Sequence, residues 1–238
     1  MATELAPGVH HVIKGIVNAY LIEGDDGVTI VDSGLRNRMQ TFVSAIEAMG
    51  RKPEDVRSIL VTHHHVDHRG SLAALAAATG AAVFAPAADA GIIRGAEPAP
   101  RPAPANLLGR LTVSMVERFG PQVEDARVDH EVTDRQTLPV AGGMQAIHTP
   151  GHTAGQTSYL LPRDGGILFV GDAAETLTGR PRPPVRGVAS YHTEDRDEAR
   201  RSFRKLAELE FDVALPGHGA PILREASDRF RAEVASLG

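Results

Sequence analysis

The chain has no cysteine and no tryptophan, and only three tyrosines and seven phenylalanines. Without cysteine there is no disulfide framework and no thiolate metal site. Any metal must be held by imidazole and carboxylate. With so few aromatics the core must be aliphatic, carried largely by alanine and valine. No hydrophobic run approaches the length of a membrane span. Residues 1–10 contain Glu4 and no apolar centre, so they do not read as a secretory signal, and a cytoplasmic location is expected. No basic cluster with interleaved aromatics occurs. The balance of 25 Lys and Arg against 30 Asp and Glu gives a net charge of -5, spread along the chain. That argues against nucleic acid or an anionic membrane as partner and leaves a small molecule. What remains is 238 residues, 42% of them apolar. This suits one domain over 1–238, with a proline-rich loop and helix inserted at about 86–118.

The local pattern alternates strands and helices. Gly8 to Gly15 leads into two strands, Ile16 to Ile22 and Val28 to Val31, joined across the acidic turn Glu23 to Gly27. Met39, Phe42, Val43, Ile46 and Met49 are spaced by threes and fours, which predicts a helix over 36–49 ended by Gly50. A strand at 58–61, a helix at 72–79 closed by Gly80 and a strand at 81–85 follow. From Pro86 to Ala105 the rhythm breaks. Pro98, Pro100, Pro102 and Pro104 exclude a helix and disfavour an inner strand, and a short helix is expected at 107–116. This excursion is either a substrate lid or a plain surface loop. Further strands are expected at 136–140, 144–148, 156–161, 167–170 and 211–215. Asp195 and Glu198 have the spacing of a capping box at a helix start, and a last helix covers about 223–237.

Packing does not explain Thr62-His63-His64-His65-Val66-Asp67-His68-Arg69-Gly70. Five of these nine residues can bind a metal. In an extended segment His63 and His65 share a face and His64 takes the other. Asp67 and His68 lie where the chain bends into a helix, within reach of a second metal. His152, Asp172 and His218 each follow a strand-like run, as this stretch does. Strand ends at one edge of a layered α/β fold gather at a shared cleft. Two metals sharing a carboxylate, roughly 3.5 to 4 Å apart, would activate a water between them. His10, His11, His130 and His192 read as ordinary surface groups.

The pattern His63-His64-His65-Val66-Asp67-His68, then Thr149-Pro150-Gly151-His152-Thr153, Gly171-Asp172 and Pro216-Gly217-His218-Gly219, resembles the metallo-β-lactamase superfamily of hydrolases. Asn18-Ala19-Tyr20-Leu21 and Ile30-Val31-Asp32-Ser33-Gly34 are also similar to that family. The resemblance implies a four-layer αββα sandwich: two mixed β-sheets face to face, flanked by helices. It implies two divalent metal ions, zinc first, with iron and manganese sharing the same donors. One site would use His63, His65 and His152; the other Asp67, His68 and His218; Asp172 would bridge them. A hydroxide between the metals would attack an ester, thioester, lactone or similar acyl bond. Asp67 would be both ligand and proton carrier, and Asp32 would support a ligand. His148 would point at the same region without binding metal, and His64 would face elsewhere.

The family hosts many chemistries, so substrate is a separate question. Zinc β-lactamases with a cysteine ligand are excluded. The general style is that of the glyoxalase-II-like and lactonase-like branches. Glyoxalase II carries a C-terminal helical domain, whereas only 219–238 follow His218 here. The lactonases place a tyrosine soon after the bridging aspartate; here Ala173, Ala174 and Glu175 follow, and Tyr191 is the one later tyrosine. Two alternatives stay open. A persulfide dioxygenase of the same fold would use one iron on two histidines and an aspartate, and a catalytically silent scaffold would bind metal and hydrolyse nothing. The substrate pocket is expected between 86–111 and 176–192. Arg180, Arg182 and Arg186 either steer an acidic substrate or simply face solvent.

Overall fold

The computed structural model describes residues 2–13, 15, 17–100, 123–176, 185–187 and 193–237. Seven strands form the first sheet in chain order: β1 (Thr3–Ala6), β2 (Val9–Ile13), β3 (Ala19–Gly24), β4 (Gly27–Val31), β5 (Val56–Leu60), β6 (Ala82–Pro86) and β7 (His130–Val132). From β1 to β4 neighbours are antiparallel; from β4 to β7 they are parallel. Parallel neighbours need crossovers. Here helices serve: α1 (Met39–Ala48) before β5, α2 (Val66–Arg69) and α3 (Leu72–Thr79) before β6, and α4 (Ala87–Ile93) after it.

The second sheet comprises β8 (Thr137–Leu138), β9 (Met144–His148), β10 (Thr157–Leu161) and β11 (Ile167–Gly171). A two-stranded ribbon of β12 (Glu175–Thr176) and β13 (Val185–Arg186) follows. Next come α5 (Arg196–Ala207), β14 (Val213–Pro216) and α6 (Ala226–Ser236). β14 joins the second sheet parallel to β11, giving the order β14-β11-β10-β9-β8.

Side-chain alternation along the strands builds three apolar layers, and so the αββα sandwich. Ala19, Leu21, Ile30, Ile59 and Val83 face outward onto Phe42, Ile46, Leu72, Leu75 and Ile93 of the helices. Tyr20, Ile22, Val31, Leu60 and Phe84 face inward, against Met144, Tyr159, Ile167, Phe169 and Leu215 of the second sheet. Leu168, Val170 and Ala214 face out again onto Phe203, Leu206 and Phe230 of α5 and α6. Central strands are buried on both faces, so they read as continuous apolar runs. Asp195 caps α5 as its spacing foretold, its Oδ1 accepting from Asp197 N at 3.0 Å and Glu198 N at 2.9 Å.

Two expectations need correction. The lead-in before β3 is a hairpin of two strands, β1 and β2. The helix-free reading of 86–105 is too broad, because alternate prolines begin only at Pro98. The proline-free stretch Ala87–Ile93 forms α4, with Pro86 just ahead of its first turn. The helix expected at 107–116 lies outside the described residues. None of the described helices is long and apolar enough to cross a membrane.

Candidate metal centre

β5, β9, β11 and β14 all end at one rim of the sandwich, and the chain beyond each carries a donor. All seven expected residues come together there. His63, His65 and His152 form one group; Asp67, His68 and His218 form another; His63, His68 and Asp172 link them. Within each group one donor atom per residue lies within 4.8 Å of the others. His65 Nδ1 and His152 Nε2 are 2.9 Å apart. Asp172 Oδ2 stands 3.2 Å from His152 Nε2 and 3.3 Å from His218 Nε2, so one carboxylate touches both groups. Its Oδ1 is 3.4 Å from His68 Nε2. Gly217 lets the last loop pass this close, since a Cβ there would lie 2.3 Å from Asp172 Oδ1.

Buried polar partners orient the rings. Thr62 Oγ1 donates to Asp32 Oδ2 at 2.8 Å, so it must accept from His63 Nδ1–H at 3.0 Å. That leaves His63 Nε2 unprotonated. It is buried, aimed into the cluster and without a hydrogen-bond partner among the described residues. Such an atom is costly unless something else satisfies it, and a metal ion among these donors would. His68 Nδ1 donates to Asp32 Oδ2 at 2.8 Å, which turns Nε2 inward, the usual carboxylate–histidine support of a metal ligand. Asp32 holds this position at φ +57, pinned by its own N–H to Leu60 O at 2.9 Å. The His152 loop is fixed by Glu194 N donating to His152 O at 3.2 Å and Asp195 N to Gly151 O at 2.9 Å.

Sequence reading missed the clamp on the His218 loop. Asn18 N donates to Gly217 O at 2.7 Å, and its Nδ2 donates to Pro216 O at 2.9 Å and Gly219 O at 2.8 Å. Tyr20 OH donates to Pro216 O at 2.7 Å. Both amide protons being used, Asn18 Oδ1 accepts from His11 Nε2 at 2.9 Å. His11 is therefore a buried strut stacked on Tyr20, not a surface group. His10 is half-buried and pairs with Glu23 at 2.8 Å; His130 is exposed, its ring stacked on Phe84. His192, Arg180, Arg182 and Tyr191 lie outside the described residues. Arg186 is exposed on β13, opposite Glu175. His148 Nε2 donates to Ala154 O at 2.9 Å, facing the loop after His152 rather than the donors. His64 turns away from the donors onto Asp89, a residue that no local pattern singled out.

Two protonation regimes share the cluster. Burial first, then the neighbouring imidazoles, push His63 and His65 well below the ordinary histidine range; burial also lowers His152. For His68 burial again opposes charge, but Asp172 and Asp32 outweigh it and lift the ring to about 9. Burial opposes charge on His218 too, yet Asp172 and Asp67 raise it to about 11. Burial favours neutral carboxyls, but the imidazoles win: His218 and His68 hold Asp67 far below its usual range, and His68 and His218 do the same for Asp172. Access is one-sided. His63 and His68 are sealed, whereas 26% of His218 and 29% of Asp67 is exposed, which puts the mouth on their side.

An αββα sandwich with two abutting imidazole and carboxylate groups at its strand ends defines a metallo-hydrolase scaffold able to hold two ions. The family model for the metallo-beta-lactamase superfamily matches residues 12–218, and the chain belongs to that superfamily of enzymes. A probable metallo-hydrolase of Bacillus subtilis, YflN, is 27% identical over 250 residues, covering 98% of this chain and 91% of that protein. A hydroxyacylglutathione hydrolase of Albidiferax ferrireducens is 34% identical over 155 residues, covering 64% of this chain but only 46% of that protein. Among solved structures, BJP-1, a subclass B3 metallo-beta-lactamase of Bradyrhizobium japonicum, superposes with TM-score 0.73 at 22% identity, over 99% of this chain and 90% of that one. At that identity the likeness concerns the fold.

Proposed function

We propose that the protein is a cytoplasmic hydrolase of acyl bonds in small molecules, an ester, thioester or lactone, with two metal ions in this cluster. His63, His65 and His152 would hold one ion, Asp67, His68 and His218 the other, and Asp172 would touch both. The observation that carries the reading is the meeting of the seven residues in three overlapping groups, two of which contain His63, whose buried Nε2 has no hydrogen-bond partner among the described residues. Imidazole and carboxylate without thiolate suit zinc, and also iron or manganese. Two such ions supply Lewis acidity, polarising the scissile carbonyl and bringing a water's pKa towards neutrality.

The chain's own groups do the rest. Asp67 sits at the mouth with Oδ2 3.3 Å from His218 Nε2, placed to hold the nucleophile's proton and pass it to the leaving group. Asp32 keeps His68 and, through Thr62, His63 aimed inward. The sealed side at His63 and His68 leaves substrate one direction of approach. Similarity to a protein named hydroxyacylglutathione hydrolase supports an acyl substrate. The test is a panel of lactones, a thioester, an aryl ester, a phosphodiester and a β-lactam, run on wild type, His65→Ala and Asp172→Ala. Acyl turnover lost in both variants is expected. No turnover, with one iron per chain and oxygen consumption on a persulfide, would replace this reading with the oxygenase.

A further inference from the structure

Asp89 lies in the first turn of α4 and is fully buried, outside the donor set. Its Oδ2 accepts from His64 N at 2.8 Å and from Thr153 Oγ1 at 2.9 Å, and its Oδ1 accepts from Gly155 N at 2.9 Å. His64 Nδ1 is 3.1 Å from the same Oδ2. His64 N lies between His63 and His65, and Thr153 follows His152. One carboxylate thus spans the two loops that bear the three imidazoles of the first group. The approach is close enough to require glycine, since a Cβ on Gly155 would stand 2.4 Å from Asp89 Cγ.

We infer that Asp89 is a positioning residue for the first donor group, bolting the His63–His65 loop to the His152 loop so that His65 Nδ1 and His152 Nε2 stay 2.9 Å apart. Its contacts fall on the loops of that group, whereas Asp32 reaches His68 directly. A buried carboxyl group that accepts three hydrogen bonds is a stiff joint: truncation, or replacing one of its oxygens by an amide NH2, leaves donors unpaired in a dry interior. The inference rests on the two-ion reading above.

The test is zinc affinity of the full chain, measured by competition with a chromophoric chelator in two parents. His218→Ala keeps the first donor group whole, and His152→Ala keeps the second. Adding Asp89→Asn is expected to weaken zinc about 10- to 100-fold in the His218→Ala parent, the usual effect of losing a residue that orients ligands. In the His152→Ala parent the change should stay below about threefold, because none of these Asp89 hydrogen bonds falls on Asp67, His68 or His218. Thr153→Val, a milder change at the same joint, should weaken zinc about three- to tenfold in the His218→Ala parent alone. It carries the test if Asp89→Asn fails to fold. Equal losses in both parents, or no loss in either, would overturn the inference. If neither parent binds zinc, the two-ion reading falls, and this inference with it.

Discussion

The two donor groups use the same residue type in opposite states. Burial, joined for His63 and His65 by the neighbouring imidazoles, holds His63, His65 and His152 below the ordinary histidine range. His68 and His218 sit among Asp32, Asp67 and Asp172 and keep their protons, at about 9 and about 11. The difference lies in which rings hydrogen-bond a carboxylate: His68 pairs with Asp32, and His218 with Asp172 and Asp67. A neutral imidazole is already a ligand; a protonated one must first release its proton. On this account the first ion enters a prepared site, and the second exchanges with protons.

The largest expected effect comes from the one residue both groups share. Asp172→Ala should lower acyl turnover by at least about a thousandfold, the scale of losing an electrostatic element of the transition state. It should weaken both ions, while His152→Ala weakens the first alone. Metal analysis beside kinetics checks this.

Next is pH. Affinity for the second ion should climb by up to about a hundredfold per unit while both His68 and His218 start protonated; that for the first should stay nearly flat between pH 6 and 8. Calorimetry in buffers of different ionisation enthalpy counts the protons. Stability of chelator-treated protein should run the other way. The raised pKa values of His68 and His218 stabilise the fold below the ordinary histidine range, and that contribution is lost as pH rises through about 9 and then about 11. The depressed Asp67 and Asp172 stabilise above the ordinary carboxylate range and lose that contribution on acidification. The lowered His63, His65 and His152 cost stability as pH falls below the ordinary histidine range. The Tm of chelator-treated protein should therefore peak at about pH 6.5, whereas metal-loaded protein should gain Tm on going from pH 6 to pH 8.

Asp32→Asn should weaken the second ion about 10- to 100-fold by loosening His68, with a smaller effect on the first through Thr62 and His63. The smallest effect belongs to Asn18→Ala. Removing the side-chain donor to Gly219 O and one of the two donors to Pro216 O should cost about 1–3 kcal/mol of stability, read as a lower Tm, and weaken the second ion a few-fold through the His218 loop. A loss confined to the first ion would contradict the clamp.

The candidate cluster was legible because chemistry left little choice. Without cysteine only imidazole and carboxylate remain, and three adjacent histidines followed by an aspartate and another histidine serve no packing purpose. The described helices other than α4 were legible from spacing and caps, as at Asp195, whereas α4 was hidden by the prolines that follow it. Strands buried on both faces show no alternation, so the two sheets followed from the resemblance rather than from period. The supports were hidden. Asp89 stands in Ala87-Ala88-Asp89-Ala90, where a lone carboxylate in an expected loop reads as a solvated group, and its partners lie 25, 64 and 66 residues away. Asn18 meets Pro216 and Gly219 across 198 and 201 residues. His11 looked like a surface group because nothing in its neighbourhood names the amide it braces.

The most direct test of the two-site account is a stepwise zinc titration of the chelator-treated full chain at pH 6.5 and pH 8.0, with element analysis of the product. The account predicts two ions per chain in two resolved steps. The first should be the same at both pH values, and the second should be far stronger at pH 8.0 with proton release. A single ion per chain, or two steps that shift equally with pH, would contradict it.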